Sequence, residues 1–417
     1  MSQRQGSVLQ QVRLRIRRCK RLAEFMFFRV FDVWVLRNHA RVTHSVRPVA
    51  MVFVELLGDF HVWLPYGRRA LDTLAPEQPI CLIVNQACAD LAAWNFPNVQ
   101  VLAVDFRPFL GDLAYRAAIL RRLRGLGATQ AYHWACPRVA YAFADSIVAA
   151  LGCPATGMAG EFIDRSLMDR WWSRRLYEQL LPSQPGRHQG EYYAQMLQAL
   201  GLEPPLDAAH RSAPWSAGEL RLPPSGYFII APGSSSPHRC WPIERFVSVA
   251  RHVLQRHSGW HCVVLGTGAE QHLGRRVQEE LGARCQSLCG QTNTRHLAAL
   301  IAGSRLVLCN DSAASHIAAY YQVPCIAVVG GGNFGLSLPY SRASGMVVEA
   351  PVCVSTHMAC FGCSWICRFP DPGAQPFPCI REIAVEAVTR AIDEVIDPVA
   401  PAPGAAVRPS RPPHSEP

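Results

Sequence analysis

Short apolar runs alternate along this chain with longer stretches whose apolar positions recur every three to four residues. Runs at 50–56, 80–84, 99–104 and 131–134 have the length of buried strands, and stretches at 66–74, 113–123 and 141–151 read as helices. The pattern resumes with strands at 227–231, 261–265, 306–310 and 325–329 and helices at 243–256, 270–281, 295–302, 315–321 and 383–396. Such alternation predicts an α/β fold in two halves, each a parallel sheet with helices on both faces. Two similar halves imply a cleft, and ligands of these folds sit at the carboxyl ends of the strands. The resulting organisation is an arm at 1–49, one Rossmann-like domain at 50–215, a second at 225–397 and a Pro-rich tail at 398–417, expected to be disordered. The Pro- and small-residue-rich stretch 203–224 leads from one half to the other.

Charge changes the picture at one end only. Residues 1–50 hold eleven basic side chains against Glu24 and Asp32, nine of the ten net positive charges, so the body is near neutral. A neutral body offers no basic groove for nucleic acid. The most apolar part of the arm, 22–36, is interrupted by Glu24, Arg29 and Asp32. As a helix it is about 22 Å long, short of a hydrocarbon core of about 30 Å. It reads as an interfacial helix with Phe25, Met26, Phe28, Phe31, Val33 and Trp34 toward lipid and arginines on lipid phosphates. The competing reading is a helix packed on the body with a solvated basic face.

Lysine occurs once, at Lys20, which excludes a Walker-type loop, a Schiff base or a cofactor aldimine in the body. No signal peptide is evident, and most of the 16 cysteines lie singly in apolar runs, so a reducing, cytoplasmic setting is expected. Five cysteines cluster at the C-terminal end, Cys353, Cys360, Cys363, Cys367 and Cys379. They read first as metal-free core or loop thiols, with Cys360, Cys363, Cys367 and Cys379 as a candidate four-thiolate metal site in the alternative.

Two strand-to-helix turns carry the phosphate chemistry. The first runs Pro232-Gly233-Ser234-Ser235-Ser236, followed by Arg239 and Trp241-Pro242. The second is Asp311-Ser312-Ala313-Ala314-Ser315-His316. Free backbone N–H groups, hydroxyls and an arginine at a helix start suit a phosphate, and two such turns in one half suit a nucleotide diphosphate. His316 reads alternatively as a buried, satisfied histidine. Gly266-Thr267-Gly268-Ala269-Glu270 lacks the third glycine of a dinucleotide fingerprint, which disfavours an oxidoreductase; Glu270 can hold ribose hydroxyls or simply favour a helix dipole. In the first half, Gly58-Asp59 follows the first strand, where Asp59 can act as a general base or cap a helix, and His61 is a weaker polar candidate.

Read together and in order, Gly58-Asp59, Pro-Gly-Ser with Arg239-x-Trp-Pro, Gly-Ala-Glu270, Asp311-Ser-x-x-Ser-His, and the Cys360-x-x-Cys363-x-x-x-Cys367 stretch before Cys379-Ile-Arg-Glu-Ile resemble the heptosyltransferase-like glycosyltransferases, family 9, of bacterial lipopolysaccharide assembly. So does His188-x-x-Glu191-Tyr192-Tyr193, and the resemblance covers about 48–397. It implies a GT-B fold and a metal-independent, inverting transfer from a nucleotide diphosphate sugar to a lipid-linked saccharide at the cytoplasmic face of the inner membrane. It implies Asp59 as general base, Arg239 where the family usually has Lys, Ser312 and Ala313 on the diphosphate turn and Glu270 near the ribose; the turns themselves add Ser234, Ser235, Asp311 and His316 as donor-binding candidates. Ala313 stands where the family often has Gly, and Gly330-Gly331-Gly332-Asn333-Phe334-Gly335 replaces a Gly-Pro-type loop. A nucleotide-sugar epimerase on the same architecture and a non-catalytic nucleotide-sugar binder are the competing functions.

Overall fold

A computed structural model describes residues 23–37 apart from 25, 47–135, 143–159, 174–184, 187–204, 226–341, 351–367, 369 and 376–397. The basic residues before 23, Phe25, most of the join and the tail lie outside them. The chain forms two six-stranded, all-parallel sheets. The first, in the order β3-β2-β1-β4-β5-β6, uses β1 (Val49–Phe53), β2 (Ile80–Asn85), β3 (Gln100–Val104), β4 (Gln130–His133), β5 (Ala155–Met158) and β6 (Gln179–Leu181). The second, β12-β11-β10-β7-β8-β9, uses β7 (Tyr227–Ala231), β8 (His261–Val264), β9 (Cys285–Ser287), β10 (Val307–Asn310), β11 (Cys325–Val328) and β12 (Val352–Val354).

Every residue of β1, β2, β7, β10 and β11 is buried. Helices cover both faces of these central strands, which is why they read as unbroken apolar runs. The four strands the pattern did not predict are β5, β6, β9 and β12. They are three or four residues long, and β5, β6 and β9 also carry Gly, Gln or Ser, too little for a hydrophobic run.

The main helices are α1 (26–37), α2 (Leu57–Leu74), α3 (Leu113–Gly125), α4 (Ala144–Leu151), α5 (Gln189–Ala199), α6 (Ile243–Arg256), α7 (Gln271–Leu281), α8 (Thr294–Ala302), α9 (Ala313–Tyr320) and α10 (Val385–Ile396). Helix α2 starts nine residues before the predicted one, because Pro65 lies inside it. A proline removes one ladder bond. The buried face of Phe60, Trp63 and Leu64 carries the helix through it.

One apolar core joins the halves: Trp63 and Tyr66 of α2 belong to the same cluster as Ile317, Ala318 and Tyr320 of α9. The first helical turns of α2 and α9 abut. A Cβ on Gly58 would come within 2.9 Å of the His316 ring and 3.1 Å of the Ala313 backbone, so only glycine permits the approach.

The arm helix corrects the lipid-facing assignment. Phe28, Asp32 and Val35 of α1 are buried against the first domain, and Phe31 packs beside them. Asp32, which interrupts the apolar run in the sequence, accepts from Arg116 Nε at 2.6 Å and Nη2 at 2.7 Å. Arg116 also donates to Ser146 Oγ and the Phe109 carbonyl, between the Phe28 and Phe109 rings. The outward face is Met26, Phe27, Val30 and Trp34, all exposed. Sequence spacing merged two apolar faces into one: Phe28 and Phe31 serve the body, while Met26 and Trp34 stay outside. Among the described residues no helix is long and apolar enough to cross a membrane.

Candidate active site

The second sheet ends β7 and β10 side by side, so the two phosphate turns are neighbours. Asn310 stitches them together. Its Nδ2 donates to the Pro232 carbonyl at 2.6 Å, and its Oδ1 accepts from the Trp241 N–H at 3.0 Å. In the sequence Asn310 heads the stretch 310–316 without a site role of its own; a buried amide at the carboxyl end of a central strand is the signal for it. Trp241 Nε1 donates to the Ile383 carbonyl, which holds the start of α6 against the segment before α10.

Arg239 crosses between the same turns. Its Nη1 donates to Ser235 Oγ at 2.9 Å and its Nη2 to Asp311 Oδ2 at 3.1 Å. Its Nε is buried without a hydrogen-bond partner among the described residues, as is Ser234 Oγ. Ser312 caps α9 in an extended conformation, with no bond from its side chain to the helix. The first N–H groups of α9 and both serine hydroxyls therefore stay available to an anion. Ser315 Oγ donates back to the Ser312 carbonyl and fixes the turn. Ser234, Ser235 and Arg239 follow β7, and Asp311, Ser312 and Ala313 follow the adjacent β10, with Arg239 bonded across both turns.

Glu270 performs the capping role. Its Oε2 accepts from Thr267 N–H at 2.6 Å and Thr267 Oγ1 at 3.0 Å, before the start of α7. The carboxylate also lies on the Gly233 backbone, where a Cβ would come within 1.9 Å of Oε1. That close approach places Glu270 beside the first phosphate turn.

Across the cleft, Asp59 lies in the first turn of α2, facing α9. Burial raises its pKa to about 6, while backbone N–H groups and the Gln189 side chain lower it in part. Its neighbour Glu55, at the end of β1, is pushed up to about 8 by burial and then by the Asp59 charge. At neutral pH this pair holds one proton on Glu55 and leaves Asp59 ionised, the state a base needs. Glu55 was absent from the sequence candidates, since a lone Glu after a strand carries no pattern.

Three histidines line the domain contact, and burial lowers the pKa of each, so all three are neutral. His316 bonds Tyr340 Oη at 2.9 Å and stacks on its ring. His188 donates to the Ser337 carbonyl and caps α5, while Gln189 N–H donates to the Leu336 carbonyl, so α5 is fastened to the other domain. His61 bonds the Leu57 carbonyl within its own helix and packs on Tyr320; it does not reach the phosphate turns.

Of the two readings of the cysteine cluster, the four-thiolate metal site finds no support. Cys360, Cys363, Cys367 and Cys379 line one small pocket with Met358, Trp365 and Phe377, and Cys353 lies apart on β12. Among the described residues, no group of three or more Cys, His, Asp or Glu side chains is arranged to hold a metal ion. The buried thiol of Cys379 is instead pushed up, first by desolvation.

Residues 187–359 match the sequence profile of Glycosyltransferase family 9 (heptosyltransferase). Lipopolysaccharide heptosyltransferase 2 of Salmonella typhimurium is 25% identical over 123 residues, 28% of this chain and 35% of that protein. The chain thus matches about a third of the length of that relative. Among solved structures, a family 9 glycosyl transferase of Veillonella parvula superposes with a TM-score of 0.65 at 18% identity, covering 86% of this chain and 99% of that one. The Escherichia coli heptosyltransferase WaaC, solved with ADP-2-deoxy-2-fluoro heptose, superposes with a TM-score of 0.58 at 18% identity, covering 83% and 99%. The two parallel Rossmann-like sheets are a GT-B arrangement, shared with these solved structures, and over residues 187–359 the chain is similar to glycosyltransferase family 9 (heptosyltransferase).

Proposed function

We propose that this protein transfers a sugar from a nucleotide diphosphate donor to a lipid-linked saccharide in lipopolysaccharide or surface-glycan synthesis, with inversion at the anomeric carbon. The observation that carries this reading is the stitched pair of strand-end turns, with an ionised, half-buried carboxylate at Asp59 across the cleft. The donor diphosphate lies along Ser234, Ser235, Arg239 and the N-terminus of α9, and Glu270 meets the ribose. Asp59 takes the proton of the acceptor hydroxyl as its oxygen bonds the anomeric carbon. The bond from that carbon to the diphosphate oxygen breaks, and the nucleoside diphosphate leaves with the electron pair. Its growing charge is met by protein groups, Arg239, the serine hydroxyls and helix N–H groups, so the reaction as proposed calls for no metal. A single well-placed donor of this kind contributes about 3–4 kcal/mol in a transition state.

The ADP-sugar bound in the E. coli relative makes ADP-heptose the first donor to test. A thermal-shift screen of nucleotide sugars with their free diphosphates identifies the donor; stabilisation by none of them would overturn the reading. Arg239→Ala is expected to weaken diphosphate affinity more than tenfold, since it removes a charge-assisted, two-pronged contact. Unchanged affinity by calorimetry would remove Arg239 from the site.

A lipid-linked acceptor places the enzyme at the cytoplasmic face of the inner membrane. The exposed face of α1, Met26, Phe27, Val30 and Trp34, and the basic residues around it, are the surface proposed to meet anionic lipid. Removing residues 1–45 should abolish sedimentation with phosphatidylglycerol vesicles, each basic residue contributing about 1 kcal/mol near such a surface. Undiminished sedimentation would sink that assignment.

A further inference from the structure

The glycine run Gly330-Gly331-Gly332 after β11 has no part in the chemistry above, yet it is sterically required. A Cβ at Gly332 would fall 2.1 Å from the Trp365 ring, and one at Gly331 would fall 2.2 Å from Phe361. The turn 360–367 lies directly on this loop. Gly362 N–H donates to the Gly331 carbonyl at 2.7 Å and Ser364 N–H to the Gly332 carbonyl at 2.8 Å. Ser364 and Trp365 both adopt left-handed backbone, with φ of 51° and 61°, which non-glycine residues rarely hold in succession.

What this conformation places is the indole. The Arg239 guanidinium carbon sits 4.5 Å from the Trp365 ring centroid. Behind Trp365, Phe377 stacks at 19° and a 6.2 Å spacing, and Phe377 itself stacks on His238, next to Arg239. Phe377 N–H also donates to the His238 carbonyl. Arg239 is thus held on one side by an aromatic face and along its edge by Ser235 and Asp311, with Nε–H lacking a partner among the described residues.

We infer that Trp365 is a positioning residue for the donor diphosphate: its indole face fixes the plane of the Arg239 guanidinium, from which the arginine meets the phosphates. A guanidinium is flat and weakly hydrated and stacks on aromatic faces, whereas an ammonium is a compact, strongly hydrated point charge. An arginine at this position therefore gains from an indole in a way a lysine would not. Asp311 competes with a diphosphate for the same cation, and the indole keeps the guanidinium in place while its edge partners exchange. The glycine run is the space this indole needs. This inference rests on the reading that Arg239 binds the donor diphosphate.

The test is calorimetric affinity for ADP, GDP and UDP, on the full chain, for wild type, Trp365→Phe, Trp365→Leu, Arg239→Ala and the Leu–Ala double variant. Trp365→Leu is expected to weaken the best-bound diphosphate about tenfold, while Trp365→Phe stays within about threefold, because it keeps a π face. In the Arg239→Ala background, Trp365→Leu should change affinity less than twofold, since the indole acts through the arginine. An equal loss in both backgrounds, or no loss in either, overturns the inference while leaving the diphosphate reading intact. A wild type that binds none of the three overturns both. Should Trp365→Leu fail to fold by circular dichroism, Trp365→Met fills similar space without a π face and carries the same comparison.

Discussion

Asp59→Asn is expected to abolish sugar transfer while leaving nucleotide diphosphate affinity within about twofold. The amide keeps the shape and the hydrogen-bonded turn but cannot take the acceptor proton. Loss of a positioned base costs about 10²–10⁴ in rate. Near-normal turnover by the variant would remove Asp59 from the mechanism. The pH dependence of wild type follows from the same pair. Asp59 must be ionised, so turnover should rise as pH passes about 6, where burial has placed its pKa. Glu55 loses its proton near pH 8, adding a second charge beside Asp59 and the incoming diphosphate, and activity should fall there. Glu55→Gln should erase the alkaline limb and keep the acid one. A profile flat from pH 5 to 9 would contradict this account.

Asp32→Ala is expected to destabilise the first domain by about 3–5 kcal/mol, the usual consequence of leaving a buried charge uncompensated. Arg116 is fully buried, and Asp32 neutralises it through two bonds. Urea denaturation followed by far-UV circular dichroism reads the loss. Asp32→Asn, which retains the shape and one acceptor, should cost less. A change under 1 kcal/mol for Asp32→Ala would mean that Arg116 reaches water or another acceptor when α1 is released.

The sheets were legible because their central strands are buried on both sides and so appear as continuous apolar runs. Helix α6 matches its predicted bounds, 243–256, because its apolar stripe is regular and Pro242 precedes it. The two strand-to-helix turns were legible for a local reason: Gly, Ser and Asp stand in sequence at strand ends. The unread parts share another property. Asn310 with Pro232, Glu55 with Asp59, Arg116 with Asp32 and Trp365 with Arg239 are single common residues made meaningful by a partner that the fold brings up. For Asp32 and Arg116 that partner is 84 residues away, and for Trp365 it lies in another turn. Asp32 misled outright, since a charge in an apolar run reads as a solvent-facing break. The cysteine spacing was ambiguous by itself, since a pocket lined by thiols and a ligand set share the same sequence pattern; the described thiols surround a small apolar pocket.

The apolar core shared by α2 and α9 has a consequence for how the molecule melts and turns over. Separating the halves would expose Trp63, Tyr66, Ile317 and Tyr320 together, so the two sheets cannot come apart as independent cooperative units. Scanning calorimetry should record one endotherm, with van't Hoff and calorimetric enthalpies agreeing, where loosely tethered domains would give two. The same surface must be wetted, at least in part, whenever the cleft opens to discharge product. Wetting this surface costs free energy, so solvent viscosity should slow product release more than it slows the chemical step.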